Sequence, residues 1–290
     1  MNLRHDNNIQ NIVNWGKQRP SVRALLLTST RAMPDASLDR FSDYDVILAV
    51  TSVRPFYEDR NWLEDFGRVL VVYRDPIKGQ HDLERFAYIT QYEDGLKIDF
   101  TLMTVGNLTR LAEESTLPDE LDVGYVVLLD KDGLTSGLGP PTYRAHIPSR
   151  PAENTFLTVI EEFFHETTYV AKLLWRDELM PAKYSLDYVM KQVYLRQMLE
   201  WYLEVDNSWA IKPGALGKGM KKRLKPDIWT HLETTYVGPG LEDNWNALFK
   251  SIVLFRKVAI EVADHLAYEY PIGLEERVVT YLQGVKRLKR

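Results

Sequence analysis

The chain has no cysteine. Disulfide staples, thiolate zinc sites, cysteine nucleophiles and sulfur redox chemistry are therefore excluded, and a cytoplasmic location is the expectation. Long hydrophobic runs are missing as well. The longest, such as VILAV over 46–50, fall far short of the ~20 residues that a membrane helix requires, so no membrane span is expected. The opening MNLRHDNNIQNIVNW lacks the basic flank and apolar core of a targeting peptide. The six histidines show no metal-ligand spacing, and neither a Gly-x-Ser-x-Gly turn nor a Walker loop occurs, which leaves hydrolase and P-loop readings without support. Nor is there a strong excess of one charge. Thirty-six Lys and Arg stand against 41 Asp and Glu, a net of −5, which argues against a nucleic-acid face and leaves room for a cationic partner.

What is present is an ordinary globular composition, 45% hydrophobic and 27% charged over 290 residues, a length that suits two domains better than one. Asp6 is placed to cap a short helix carrying Ile9, Ile12 and Val13 at helical spacing, closed by Gly16 and Pro20. Apolar, branched runs predict strands over 22–27, 44–50, 68–73, 85–92, 96–103 and from 125, with Glu93-Asp94-Gly95 as a hairpin turn. Residues 105–115 read as helix. Between 134 and 154, Gly137, Gly139, Pro140, Pro141, Pro148 and Pro151 crowd together and mark a boundary. Beyond it the period is helical over 156–174, 184–205 and 245–267, with Pro271 expected to end the last. The fold class expected is α+β, with a mixed-sheet domain over 1–135 and a helical bundle over 136–290.

The sharpest local feature is Ser42-Asp43-Tyr44-Asp45-Val46-Ile47-Leu48. Residues i and i+2 of a strand project from one face, about 6.6–7 Å apart, so both carboxylates can lean onto a shared cation. Two anions beside an apolar strand are costly without a counter-charge, and Mg²⁺ suits a few carboxylates completed by phosphate and water oxygens. In Leu96-Lys97-Ile98-Asp99-Phe100-Thr101-Leu102 the alternation sends Ile98, Phe100 and Leu102 to one side and Asp99 to the other. The alternatives are a turn or cap role for Asp43 and ion pairs of Asp45 and Asp99 with Arg31 or Arg40. Before the acids, strand 22–27 runs into Thr28-Ser29-Thr30-Arg31, whose hydroxyls and backbone N–H groups can cradle phosphate oxygens, with Arg31 adding charge.

This arrangement resembles the DNA polymerase β nucleotidyltransferase superfamily, whose signature is a Gly-Ser turn, Asp-x-Asp and a third Asp on a later strand. Phe41 to Asp45, Leu96 to Leu102 and Leu174-Trp175-Arg176-Asp177-Glu178-Leu179 narrow it, as do 254–263, Tyr270-Pro271 and 277–282. Together they look like the bacterial aminoglycoside 6-adenylyltransferases, the streptomycin-modifying family. The resemblance implies transfer of AMP from ATP to a sugar hydroxyl with loss of pyrophosphate, Mg²⁺ held by Asp43, Asp45 and Asp99, and Asp99 as general base or its positioner. It implies nucleotide phosphates on Ser29, Thr30 and Arg31, and a polycationic aminoglycoside met by acids of the helical half, for which Glu161, Glu162, Asp177 and Glu178 are the candidates. Trp175, Trp201 and Trp209 are either stacking groups or core. Lys212, Lys218, Lys221, Lys222 and Lys225 offer charge toward a triphosphate, Lys218 lying nearest Gly217 and Gly219. A monomer or small homo-oligomer is expected. One position departs from the pattern: Ser29 stands where the family has Gly, adding a side chain where the backbone must approach phosphate or take positive φ. A nucleotidyltransferase for another acceptor, or a degenerate ligand-binding relative, are the alternatives.

Overall fold

In the computed structural model the described residues are 6–34, 36–210 and 214–289, and the chain forms two compact units, Met1–His146 and Ile147–Arg290. The first is built on a six-stranded sheet in the order β3-β4-β5-β2-β1-β6. Its strands are β1 (Val22–Thr28), β2 (Tyr44–Val50), β3 (Val69–Arg74), β4 (Arg85–Tyr92), β5 (Lys97–Thr104) and β6 (Tyr125–Asp130). All neighbours pair antiparallel except β2 and β5, so the sheet is mixed as expected.

Helix α1 (Asn7–Lys17) starts at Asp6, whose carboxylate accepts from the Asn8 and Ile9 N–H groups and satisfies donors that the helix cannot. It lays Ile9, Ile12 and Val13 on one face of the sheet, among Leu25, Leu27, Val46, Leu48, Phe100 and Leu102. The short α2 (Arg54–Glu58) and the turn after it extend this layer, with the Trp62 ring 5.0 Å from Phe100. The opposite face is covered over a smaller area. There α3 (Val105–Glu113) and α4 (Asp119–Asp122) place Leu108 and Leu121 on Ala24, Leu26, Ile47, Ala49 and Met103. Toward β4 and β3 this face stays open, and Val71, Tyr73 and Ile89 are exposed.

The division falls at 146/147 rather than at 135/136 because the intervening segment bonds back to the first unit. Asp122 is its anchor: its carboxylate accepts from the Thr142 and Ala145 N–H groups, and its carbonyl from the Tyr143 N–H. Tyr125 in turn donates its hydroxyl to the Gly139 carbonyl.

The second unit is all helical: α5 (Glu153–Trp175), α6 (Leu179–Lys183), a π-helical stretch Tyr184–Leu195, α7 (Arg196–Val205), α8 (Met220–Arg223), α9 (Pro226–Glu233), α10 (Leu241–Leu266) and α11 (Ile272–Arg287). Phe156, Ile160, Phe163 and Phe164 of α5 meet Leu254, Phe255 and Val258 of α10 in one core. The Phe163 and Phe255 rings stack at 3.8 Å and 4°. Pro271 does not end α10; Ala267 does, in the left-handed conformation at φ 58° with its N–H turned back onto the last turn, and Pro271 directly precedes α11 instead. Among the described residues no helix is long and apolar enough to cross a membrane.

Candidate active site

The parallel ladder between β2 and β5 pairs Asp45 with Asp99 directly. Strand pleating sends Tyr44, Val46 and Leu48, with Ile98, Phe100 and Leu102, into the core under α1, which turns both carboxylates to the other face. Asp43, one residue before β2, reaches the same place. The Lys97 ammonium donates to Asp43 Oδ2 at 2.5 Å and to Asp99 Oδ2 at 2.9 Å, tying the two carboxylates together. Asp45 and Asp99 on two adjacent strands and Asp43 just before β2 therefore share one site at the end of the sheet where β1 leaves and β2 and β5 begin.

The electrostatics follow from crowding. Burial pushes the Asp45 carboxyl up to about 6, the charges of Asp99 and Asp43 push the same way, and the Ser29 hydroxyl and Lys97 pull against them. Burial also raises the Asp99 carboxyl; Lys97 opposes the shift and Asp43 adds to it. For Lys97, burial works against its charge, but the bonds to Asp43 and Asp99 outweigh it and hold the ammonium above its usual range. One oxygen of Asp99, Oδ1, is buried and has no hydrogen-bond partner. Sequence reasoning quoted Lys97 but gave it no part. The signal was its spacing, two residues before Asp99 on the same strand.

Among the described residues no group of three or more His, Asp or Glu side chains is closed enough to hold a metal ion as it stands, and Lys97 lies between two of the three acids. The donors nonetheless suit a hard divalent cation: three carboxylates, one with an orphaned buried oxygen and one held desolvated beside two like charges. Asp43, Asp45 and Asp99 would hold it once the lysine moves aside. Among the described residues neither Asp45 nor Asp99 pairs with an arginine: Arg31 bonds Asp6 and the Ser42 and Asp43 carbonyls, and Arg40 lies over the Phe41 ring.

The turn after β1 is a 3₁₀ turn, Ser29–Ala32, closed by the Met33 N–H on the Thr30 carbonyl. Ser29 takes φ +61°, the left-handed region that costs a side-chain-bearing residue about 1–2 kcal/mol. Its hydroxyl favours the Asp45 anion. The position thus has the backbone that suits glycine, occupied by serine. Arg31, expected on nucleotide phosphates, forms a clamp within the unit. Its guanidinium donates to the Asp43 and Ser42 carbonyls at 3.0 and 2.8 Å, lies 3.5 Å from Asp6 and covers the Tyr44 ring at 3.6 Å. Only 7% of its side chain is exposed, because this network consumes its donors. A polar cavity of about 330 Å³ opens alongside, lined among others by Arg31, Arg40, Phe41 and Lys97.

The remaining expected residues belong to the second unit. Glu161 and Glu162 lie on α5, Asp177 and Glu178 in the turn before α6, and all four are exposed; Glu162 faces Tyr194 and raises its hydroxyl, after the larger effect of burial. Lys218, just after a 3₁₀ turn, is exposed, and Lys212 lies outside the described residues. Lys221 pairs with Glu233, and Lys225 with Glu261. Trp201 is buried, and Trp175 and Trp209 pack on the helical core.

A profile of the streptomycin adenylyltransferase family matches residues 3–285. The chain belongs to that family. It is 32% identical over 273 residues to an aminoglycoside 6-adenylyltransferase of Bacillus subtilis (strain 168), covering 91% of each chain, and 28% identical over 293 residues to one of Campylobacter jejuni, covering 98% of this chain and 97% of the other. A crystal structure of an aminoglycoside 6-adenyltransferase from Bacillus subtilis aligns over 98% of this chain and all of its own, with a TM-score of 0.49 and 27% identity. As a member of this family the chain is a nucleotidyltransferase, and its α+β fold is the one expected.

Proposed function

We propose that the chain transfers AMP from ATP to a hydroxyl of a streptomycin-like aminoglycoside. The acceptor oxygen forms a bond to the α-phosphorus, the bond to the β-phosphate oxygen breaks, and pyrophosphate leaves. The observation that carries this reading is the pairing of Asp45 with Asp99, beside Asp43 and the Ser29 turn, in a chain matched by the family from residue 3 to 285. Magnesium held by Asp43, Asp45 and Asp99 would neutralise phosphate charge and acidify the acceptor hydroxyl.

Asp99 takes the acceptor proton or fixes the hydroxyl that loses it, since its raised carboxyl and orphaned Oδ1 leave it able to accept. Ser29 and Thr30 hold the terminal phosphates through the turn. The acids give the open face a negative potential that suits a polycation. Along this face Ile89 stands opposite Asp99, and Tyr73 opposite Ile89, so strands ~4.8 Å apart set apolar surface one and two steps from Asp99 for a sugar ring. Glu161, Asp177 and Glu178 supply further negative charge and Lys218 positive charge from the second unit. The enzyme works in the cytoplasm, where ATP is available, as a monomer or small homo-oligomer, and protects its host from the drug.

Incubation with ATP, Mg²⁺ and a panel of streptomycin, other aminoglycosides, a lincosamide and protein hydroxyls tests it. Streptomycin gaining the mass of AMP supports the assignment; another acceptor gaining it instead replaces streptomycin. A second reading, ligand capture without turnover, is favoured by the strained Ser29 turn. Calorimetry showing tight drug binding together with nucleotide affinity indifferent to Mg²⁺ would favour that reading over catalysis.

A further inference from the structure

Among the described residues Lys97 is the cation that bonds two carboxylates of the acid cluster, and its position follows from strand geometry. Lys97 and Asp99 are two residues apart on β5, so their side chains leave the same face, and the ammonium reaches Asp43 as well. It compensates only part of the site. Three carboxylates against one ammonium leave two negative charges when all are ionised, Asp45 keeps its desolvated carboxyl, and Asp99 Oδ1 finds no partner. Lys97 thus occupies one oxygen of each of two carboxylates, Asp43 and Asp99, that would hold a divalent cation here.

We propose that Lys97 is a built-in counter-cation that holds the acids together in the metal-free protein and competes with the divalent ion for Asp43 and Asp99. This rests on the three acids being the metal site, as argued above. Lys97 is thus a positioning residue. Its loss makes the metal-free site more repulsive and the metal-bound site easier to form, two effects of opposite sign on stability that a space-filling lysine would not produce.

The test is Mn²⁺ binding, without nucleotide, to the full chain and to Lys97→Met, Lys97→Gln and Lys97→Arg. Removing a half-exposed pair of charge-assisted bonds is expected to tighten Mn²⁺ about tenfold in the Met and Gln variants, while the Arg variant, which keeps the charge, stays near the parent. Urea midpoints give the second readout: in EDTA the two neutral variants unfold earlier than the parent, and Mn²⁺ shifts them further than it shifts the parent. Affinity in Lys97→Met and Lys97→Gln equal to or weaker than the parent's, or a Mn²⁺ shift no larger, overturns the inference. Asp45→Asn separates this from the functional reading. If that variant binds Mn²⁺ as the parent does, the metal site itself is wrongly placed; if it abolishes binding while the neutral variants fail to tighten it, only the role of Lys97 falls.

Discussion

Asp45 faces Asp99 across the single parallel pair of the sheet, in register and on the side away from α1. Two carboxylates at adjacent positions repel each other, and burial adds to the cost, so the fold carries stress that a bound cation would relieve.

The first prediction concerns that stress. With the Asp45 carboxyl raised from its usual value to about 6, its contribution to stability is fully present below pH ~4 and is lost as pH rises through ~6, a loss on the order of 3 kcal/mol at most. Asp45→Asn removes this dependence. In EDTA the variant should match the parent near pH 4 and exceed it at pH 8, as read from urea midpoints. An Asn variant weaker than the parent at pH 8 would contradict the electrostatic account.

Ser29 makes a test of backbone strain. In the middle of a helix or strand Gly is the less stable substitution, by about 0.5–1 kcal/mol relative to Ala. At φ +61° the order should invert, with Ser29→Gly more stable than Ser29→Ala by about 1 kcal/mol. Equal midpoints, or the ordinary order, would show that the turn is not held in the left-handed region.

For Arg31 the clamp predicts a result that a phosphate ligand would not. Arg31→Lys cannot reproduce two carbonyl contacts, the Asp6 pair and the stack on Tyr44. Thermal stability should fall, by about 2–4 kcal/mol for a buried network left unsatisfied, and kcat should fall because Asp43 loses its anchor, with KM for ATP little changed. A large rise in KM for ATP at unchanged stability would point to the phosphate role instead of the clamp.

In the helical unit, Phe255 stacks on Phe163 with both rings fully buried. Phe255→Ala should cost about 3–5 kcal/mol, measured by chemical denaturation. A loss below 1 kcal/mol would mean that α5 and α10 do not meet as described.

Much of this was legible in the sequence because it is local. Alternation sets β4 at Arg85–Tyr92 and β2 at Tyr44–Val50 with the bounds read from the chain, and the same parity puts Asp45 and Asp99 on one side. What stayed hidden depends on residues far apart. The Arg31 clamp needs Asp6, which the sequence showed only as a helix cap, and the loop carbonyls of Ser42 and Asp43. The role of Lys97 needs Asp43, brought near by the pairing of β2 with β5. The first unit runs to His146 because Asp122 gathers a segment twenty residues downstream, and the Gly- and Pro-rich composition marked that segment without saying which side it joins.

The most direct test of the central claim is pyrophosphate release with ATP, Mg²⁺ and streptomycin, compared with Asp43→Asn, Asp45→Asn and Asp99→Asn. The account predicts release that requires both streptomycin and Mg²⁺ and falls by 10³-fold or more in each variant, on the order expected when an essential catalytic group is removed. Release that persists in all three variants would contradict it, as would none above their level in the parent.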